Sequence, residues 1–191
     1  HMFFEAEKIV AMREMILSET AEGREKALEK ILPYQKADFL GIFRAMDGKP
    51  VNVRLLDPPL HEFVPHDQAG QEEMAKAMGV TVEYIRQRVN SLVEANPMLG
   101  HRGCRLGNTY PEITAMQTRA ILGAAVELKK EGLDPHPEIM VPLTGILYEF
   151  ESQEKVIRDT AAKLFAEEGV SVDFKVGTMI EIHRAALTAD R

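Results

Sequence analysis

Residues 51–63 have the sequence Val51-Asn52-Val53-Arg54-Leu55-Leu56-Asp57-Pro58-Pro59-Leu60-His61-Glu62-Phe63. The β-branched, apolar run at the start predicts a strand. The two prolines end it, because proline fits neither a helix interior nor a central sheet ladder. Arg54 lies inside the run, where a charged side chain is costly to bury alone, so either a carboxylate compensates it or an anionic ligand binds it. Since α/β folds carry out chemistry where strands end in loops, this strand end is the first candidate site.

Charge and cysteine content limit the class of protein. The 191 residues carry a formal net charge of −7, which argues against nucleic-acid binding because such binding needs a basic face. The single cysteine, Cys104, excludes an intramolecular disulfide and fits a reducing compartment, so we expect a cytoplasmic location. No apolar stretch approaches the roughly 20 residues of a membrane span, so no membrane partner is expected.

Helical and strand-like patterns alternate along the chain. Residues 3–46 have helical spacing, and Gly23 and Pro33 predict breaks that divide them into three helices. Gly79 separates two further helices, and Pro111 is expected at the start of a long one. Four segments have strand-like composition: residues 51–57, 97–100, 138–143 and 170–182. This alternation predicts parallel βα units and therefore a doubly wound sheet or a barrel.

Charged residues also accompany two other segments. Glu181 lies in an apolar run near the end of the last predicted strand. A buried carboxylate there either binds a metal such as Mg²⁺ or forms a structural salt bridge with an arginine. Arg102 and Arg105 lie in a glycine-rich stretch, where arginine forks match phosphate or carboxylate oxygens. In an extended stretch they face opposite ways, so one would line a site, and an ordinary polar loop is the alternative.

Other potentially reactive residues carry weaker signals. Cys104 is interpreted as a small packed residue, since no activating arrangement accompanies it. The histidines lack metal-ligand spacing, and neither common glycine-rich nucleotide-phosphate loop occurs in the sequence.

Three segments together resemble pyruvate phosphate dikinase. They are residues 53–63, 100–106 and 177–187, and they occur in that family's order. Residues 1–5 also resemble the family, so His1-Met2 is either native or a cloning remnant. The Asp-Pro-Pro-Leu-His-Glu-Phe stretch distinguishes this family from its relatives phosphoenolpyruvate synthase and Enzyme I of the phosphotransferase system, which share the barrel but not that loop.

The resemblance implies a fold and a reaction. The fold is an incomplete (β/α)₈ barrel of about four parallel strands over residues 51–191, preceded by a helical segment over residues 1–50. The family interconverts ATP, phosphate and pyruvate with AMP, diphosphate and phosphoenolpyruvate, through a phosphohistidine on another domain. Carried over by motif, Arg54 and Arg102 would hold substrate carboxylate and phosphoryl oxygens, and Glu181 would ligate Mg²⁺.

Several parts of that enzyme are expected outside this chain. They are the nucleotide-binding and phosphohistidine domains, another substrate-binding arginine, an Asn-Asp pair that completes the Mg²⁺ shell, and the cysteine that protonates the enolate. Cys104 does not match that cysteine, and His183 stands where relatives usually carry proline. We therefore expect a fragment that is inactive alone. A non-catalytic binding or oligomerisation module is the alternative, and a homodimer is expected because an open half-barrel exposes strand edges and apolar surface.

Overall fold

The computed structural model describes the backbone of residues 6–190 and the side chains of residues 8–190. The expectation for His1-Met2 and residues 3–5 lies outside the described residues. The helices and strands are, in chain order, α1 (Ala6–Leu17), α2 (Ala21–Ala45), β1 (Pro50–Arg54), α3 (Gln68–Met78), α4 (Val82–Ser91), α5 (Gly103–Thr109), α6 (Pro111–Lys130), β2 (His136–Val141), α7 (Leu147–Glu168), β3 (Lys175–Thr178) and α8 (His183–Leu187). Short 3₁₀ turns lie at Leu60–Glu62 and Pro97–Leu99.

The chain forms two compact units. The first combines His1–Ile31 with Pro58–Arg102, and the second combines Leu32–Asp57 with Gly103–Arg191. In the first unit, α1 contacts α3 and α4, and the Arg13 side chain donates a hydrogen bond from Nε to the Phe63 carbonyl at 2.8 Å. This bond ties the loop after the two prolines to α1. The predicted division into a helical segment over residues 1–50 and a partial barrel over residues 51–191 stays a prediction.

The second unit contains a three-stranded parallel sheet in the order β1-β2-β3. Alternate residues of β2, including Ile139 and Val141, are buried, and α6 and α7 pack against each other, with α6 also contacting β2. On the other face of the sheet, the register aligns Asn52, Glu138 and Lys175 in one polar row across the strands. The predicted α/β class with parallel strands is confirmed.

The described residues contain three strands, which is fewer than the four predicted. In the predicted strand segment 97–100, Pro97–Leu99 form a 3₁₀ turn, because the Asn96 side chain accepts a hydrogen bond from the Met98 N–H at 3.1 Å and Pro97 starts the turn. Met98 and Leu99, which made this segment look strand-like, are largely exposed. The last strand covers only Lys175–Thr178 of the predicted 170–182.

Two helical predictions also need correction. Where three helices were expected up to residue 46, the described residues form two, because Pro33 lies inside α2. Gly23 lies in the first turn of α2, where its N–H donates to the Thr20 hydroxyl at 3.1 Å, so it helps to cap the helix instead of breaking one. In contrast, Gly79 ends α3 in the left-handed conformation, as predicted, and α6 begins at Pro111. No helix of residues 6–190 is long and apolar enough to cross a membrane.

Candidate functional site

The candidate site lies at the carboxyl edge of the sheet in the second unit. Because the three strands are parallel, their carboxyl ends and the loops that follow them meet at one edge. β1 ends at Arg54 and is followed by Asp57, β2 is followed by Leu143, and β3 is followed by Glu181. The structure therefore brings Arg54 and Glu181, two residues predicted from sequence, to the same edge.

Arg54 is held by a buried carboxylate. Its Nη1 atom lies 3.2 Å from Oδ2 of Asp57, whose side chain is only 3% exposed, whereas the Arg54 side chain is 45% exposed. Nη1 also lies 4.0 Å from the sulfur of Met179. The strand end is fixed by the Leu56 N–H, which donates to Oε1 of Gln117 at 2.8 Å. A carboxylate thus compensates the arginine, while nearly half of its side chain remains accessible to an anion.

Glu181 lies three residues beyond β3 and is exposed, so the expectation of a buried carboxylate inside the strand is wrong. β3 ends at Thr178, whose hydroxyl contacts the Val141 carbonyl at 2.9 Å and the Thr144 hydroxyl at 2.7 Å. Oε1 of Glu181 accepts a hydrogen bond from the Leu143 N–H at 2.7 Å. Among residues 8–190, no cationic side chain pairs with Glu181, so the predicted alternative of a salt bridge with arginine is not found.

The available oxygen of Glu181 fits a Mg²⁺ ion only in part. Oε2 accepts no hydrogen bond from the described residues, and Mg²⁺ commonly takes one or two carboxylates together with water and substrate oxygens. No group of three or more His, Cys, Asp or Glu residues within the described part of the chain is arranged to hold a metal. Glu181 can therefore supply one ligand to a cation whose other ligands come from elsewhere.

Leu143 is a residue that sequence reasoning missed. It is the one residue other than glycine with a positive φ, 63°, in the described part of the chain. Its carbonyl accepts a hydrogen bond from the Cys104 thiol at 3.1 Å, and the Cys104 N–H donates to the Pro142 carbonyl at 3.0 Å. Nothing in an apolar Val-Pro-Leu run marks a leucine for this conformation. Asp57, by contrast, could have been recognised from sequence as the partner of Arg54, because it lies only three residues after it.

Cys104 is a packed thiol, as predicted. Its side chain is buried, and burial, followed by the negative charge of Glu149, raises the pKa of the thiol from 9.0 to about 11. The thiol is therefore protonated near neutral pH and can donate its hydrogen bond to Leu143.

Arg102 and Arg105 do not form the extended pair that was expected. Arg105 lies on the helix α5 of the second unit, so the argument from alternating strand faces does not apply. Arg102 belongs to the first unit, where it is buried and its Nη1 lies 3.2 Å from the sulfur of Met98. Its predicted contact with substrate stays a prediction.

Comparison with known proteins identifies the family. The family model described as "PEP-utilising enzyme, PEP-binding domain" matches residues 1–191. The chain belongs to this family of phosphoenolpyruvate-binding domains. The chain is 52% identical to the pyruvate, phosphate dikinase of Clostridium symbiosum, 55% identical to the chloroplastic pyruvate, phosphate dikinase 1 of Arabidopsis thaliana and 53% identical to the pyruvate, phosphate dikinase of Giardia intestinalis.

These matches cover all of this chain but 22%, 20% and 22% of the three relatives. The chain thus spans about a fifth of the length of the curated relatives it matches. The resemblance to pyruvate phosphate dikinase is confirmed, and so is the prediction of a (β/α)₈ barrel that is present only in part.

Proposed function

We propose that this phosphoenolpyruvate-binding domain forms the substrate-binding part of a pyruvate phosphate dikinase. The whole enzyme would interconvert ATP, phosphate and pyruvate with AMP, diphosphate and phosphoenolpyruvate. One observation carries the proposal: at a single sheet edge, a half-exposed Arg54 is anchored by buried Asp57, and Glu181 has an oxygen without a partner. The 52–55% identity of the whole chain to dikinases supports it.

The charges at this edge suit the reaction. Phosphoenolpyruvate carries a carboxylate and a phosphoryl group, and the guanidinium of Arg54 can donate to such oxygens in pairs. The enolate of pyruvate and the phosphoryl group in transfer both accumulate negative charge, which a preorganised cation stabilises. Asp57 fixes the direction of the guanidinium before substrate arrives. A substrate contact of Arg102 is proposed only on the basis of the motif that contains it.

Glu181 is proposed to hold Mg²⁺ in the whole enzyme. The ion would supply a Lewis acid that neutralises charge on the enolate and phosphoryl oxygens. The chain's own contribution is a carboxylate with one oxygen bonded to a backbone N–H and the other available. The ordinary hydration of Mg²⁺ leaves room for substrate oxygens and for ligands from outside the described residues.

The proposal also names partners. The phosphohistidine and nucleotide-binding domains would belong to the rest of the enzyme, and a homodimer is expected. The cytoplasmic location stays a prediction, and the Arabidopsis relative is named as chloroplastic. We propose that the 191-residue chain alone is inactive, because the domains that form and carry the phosphohistidine are expected outside it.

The test compares the full-length protein that contains this segment with the 191-residue chain. Each is supplied with ATP, phosphate, pyruvate and Mg²⁺, and phosphoenolpyruvate formation is measured. We expect turnover by the full-length protein and none by the chain. An inactive full-length protein would overturn the assignment, and turnover by the chain would overturn its inactivity. Calorimetry of the chain with Mg²⁺ and phosphoenolpyruvate is expected to show weak or no binding, because several ligands are missing.

A second candidate, an oligomerisation module, is favoured by one cavity. A volume of about 480 Å³ in the second unit is lined by Ile146, Leu147, Tyr148 and Ile180 among others, and these four side chains are exposed. β1 and β3 are also the outer strands of the described sheet. If this surface joins two copies, Leu147→Asp should convert a dimer to a monomer in light scattering, whereas Val93→Asp, at an exposed apolar residue of the first unit, should not. A stable wild-type monomer would exclude this candidate.

A further inference from the structure

We propose that Leu143 is a positioning residue for the Glu181 carboxylate, and that Gly103 is the residue that permits its unusual backbone. The consequence for metal binding rests on the function proposed above. The backbone arrangement at Leu143 does not depend on that function, so the arrangement and its effect on metal binding can be tested separately.

The first step of the argument is the conformation of Leu143. With φ at 63°, this leucine occupies the left-handed region, which is unfavourable for a residue that carries a Cβ atom. Such conformations persist only where surrounding contacts over-determine them, and they cluster at functional sites. In Leu143, both the backbone N–H and the carbonyl make such contacts. The N–H donates to Oε1 of Glu181 at 2.7 Å, and the carbonyl accepts from the Cys104 thiol at 3.1 Å.

The second step is the space at Gly103, which itself has a φ of 55°. A Cβ atom added there would lie 2.7 Å from Cβ of Leu143 and 3.2 Å from the carbonyl oxygen of Pro142. Real Cβ atoms do not approach a carbon atom that closely, so a side chain at position 103 would push Leu143 away. The same Cβ would lie 3.1 Å from Oδ1 of Asp57, the carboxylate that anchors Arg54.

The third step concerns Glu181. Its side chain is exposed and lies on a loop, and its one hydrogen bond within residues 8–190 comes from Leu143. That bond occupies Oε1 and restrains the position of the carboxylate, so that Oε2 remains for a cation. Groups that orient metal ligands in this way contribute to metal affinity. In an ordinary extended or helical conformation, the N–H and the carbonyl of Leu143 would be oriented differently relative to each other and could not bond Glu181 and Cys104 at the same time.

The backbone arrangement is tested by NMR on the 191-residue chain labelled with ¹⁵N. An N–H bonded to a carboxylate resonates downfield, so the amide proton of Leu143 should move upfield in Glu181→Gln and in Gly103→Ala. Leu143→Gly removes the Cβ atom that obstructs a side chain at position 103. Adding it to Gly103→Ala should therefore move the amide at position 143 back downfield. Gly169→Ala is the matched control, because Gly169 has a φ of 67° with open space around it, and it should leave that amide unmoved.

The metal consequence is tested in the full-length protein by the KM for Mg²⁺ and by kcat. Loss of an orienting partner typically weakens metal affinity by 10- to 100-fold, so Gly103→Ala should raise the KM for Mg²⁺ by about 10-fold or more. Leu143→Gly should largely reverse this rise, and Gly169→Ala should cause none. A purely structural defect would instead lower the active fraction, and thus kcat, without changing the KM for Mg²⁺.

A pair of substitutions at position 143 tests the inference if Gly103→Ala does not fold. Asparagine tolerates the left-handed region and valine does not. Leu143→Asn should therefore keep the downfield amide and the KM for Mg²⁺, whereas Leu143→Val should lose both, although valine is the more apolar residue.

The outcomes separate the inference from the proposed function. The positioning role is overturned if the chemical shift of the amide proton at position 143 does not change in Glu181→Gln. It is also overturned if that chemical shift moves upfield in Gly103→Ala but the KM for Mg²⁺ stays unchanged. If the amide responds as expected but the full-length protein neither binds Mg²⁺ nor forms phosphoenolpyruvate, the positioning of Glu181 stands and the proposed function fails.

Discussion

The two ends of the parallel sheet use charged residues in different ways. In the amino-terminal half, Glu138 lies in one row with Asn52 and Lys175. Nζ of Lys175 is 2.9 Å from Oε1 of Glu138, and Nδ2 of Asn52 is 3.5 Å from Oε2. The ammonium group holds the pKa of Glu138 below its usual range. Both oxygens of this carboxylate therefore have partners within the row.

At the carboxyl edge, the charged residues have fewer partners from the fold. Arg54 shares one contact with a buried carboxylate and keeps much of its surface exposed, and Glu181 has no cation among the described residues. A charged side chain whose partners are all supplied by the fold stabilises the structure, but it has few hydrogen-bonding positions available for a ligand. A charge that is anchored on one side and open on the other is preorganised to bind one. This difference is consistent with a structural role for the charges in the amino-terminal half and with the binding role proposed for the carboxyl edge.

The largest effect is expected from Arg54→Ala. If Arg54 binds substrate as proposed, removing its guanidinium takes away those contacts and the ion pair with Asp57, so we expect kcat/KM of the full-length protein to fall by roughly 100-fold or more. Steady-state kinetics with pyruvate as the varied substrate would measure this. Lys175→Ala is the matched control at the other end of the sheet and should leave kcat/KM unchanged. Equal losses in the two variants would remove the distinction between the ends.

Glu181→Gln should have the next largest effect. The amide keeps the size of the side chain but loses the charge that a divalent cation needs, so the KM for Mg²⁺ should rise by about 10- to 100-fold. The KM is obtained by titrating Mg²⁺ in the full-length protein at saturating substrate. In Glu138→Gln the same chemical change should break the pair with Lys175 without altering the Mg²⁺ requirement. A normal KM for Mg²⁺ in Glu181→Gln would contradict the proposed ligand.

Asp57→Asn is expected to have a smaller effect on both stability and activity. An asparagine can still accept a hydrogen bond, but the charge that orients Arg54 is gone from a buried position. We expect the free energy of unfolding to fall by about 1–3 kcal/mol, measured by urea denaturation of the 191-residue chain. In the full-length protein, the KM for pyruvate should rise more than kcat falls. If Arg54→Ala and Asp57→Asn combine additively, Asp57 does not act through Arg54.

The smallest effect is expected from the Cys104 thiol. Its pKa is raised from 9.0 to about 11 in the folded chain. Above pH 9 the unfolded chain therefore loses a proton that the folded chain retains, and by linkage the stability falls as pH rises from about 9 to 11. Urea denaturation at several pH values would show this slope. Cys104→Ala should remove this part of the slope. An identical slope in the variant would mean that other groups cause it.

Local chemistry was enough to predict several elements of the fold. Gly79 and Pro111 mark helix boundaries by conformational restrictions that operate within a few residues, and both were found where predicted. Two local signals were misleading. Pro33 lies inside α2 without ending it, and the Asn96 side chain caps a 3₁₀ turn where an apolar run had predicted a strand.

The sequence by itself determined the α/β class and the strand that ends before Pro58-Pro59, because these follow from residue types and spacing along the chain. Its resemblance to pyruvate phosphate dikinase indicated the family, and made Arg54 and Glu181 candidate site residues. Only the tertiary structure decided that Asp57 is the buried partner of Arg54, that Glu181 is exposed beyond its strand, and that Leu143 adopts a left-handed backbone against Gly103. The physical reason is sequence separation. Leu143 is 38 residues from Glu181 and 39 from Cys104, so its conformation is set by contacts that no local pattern records.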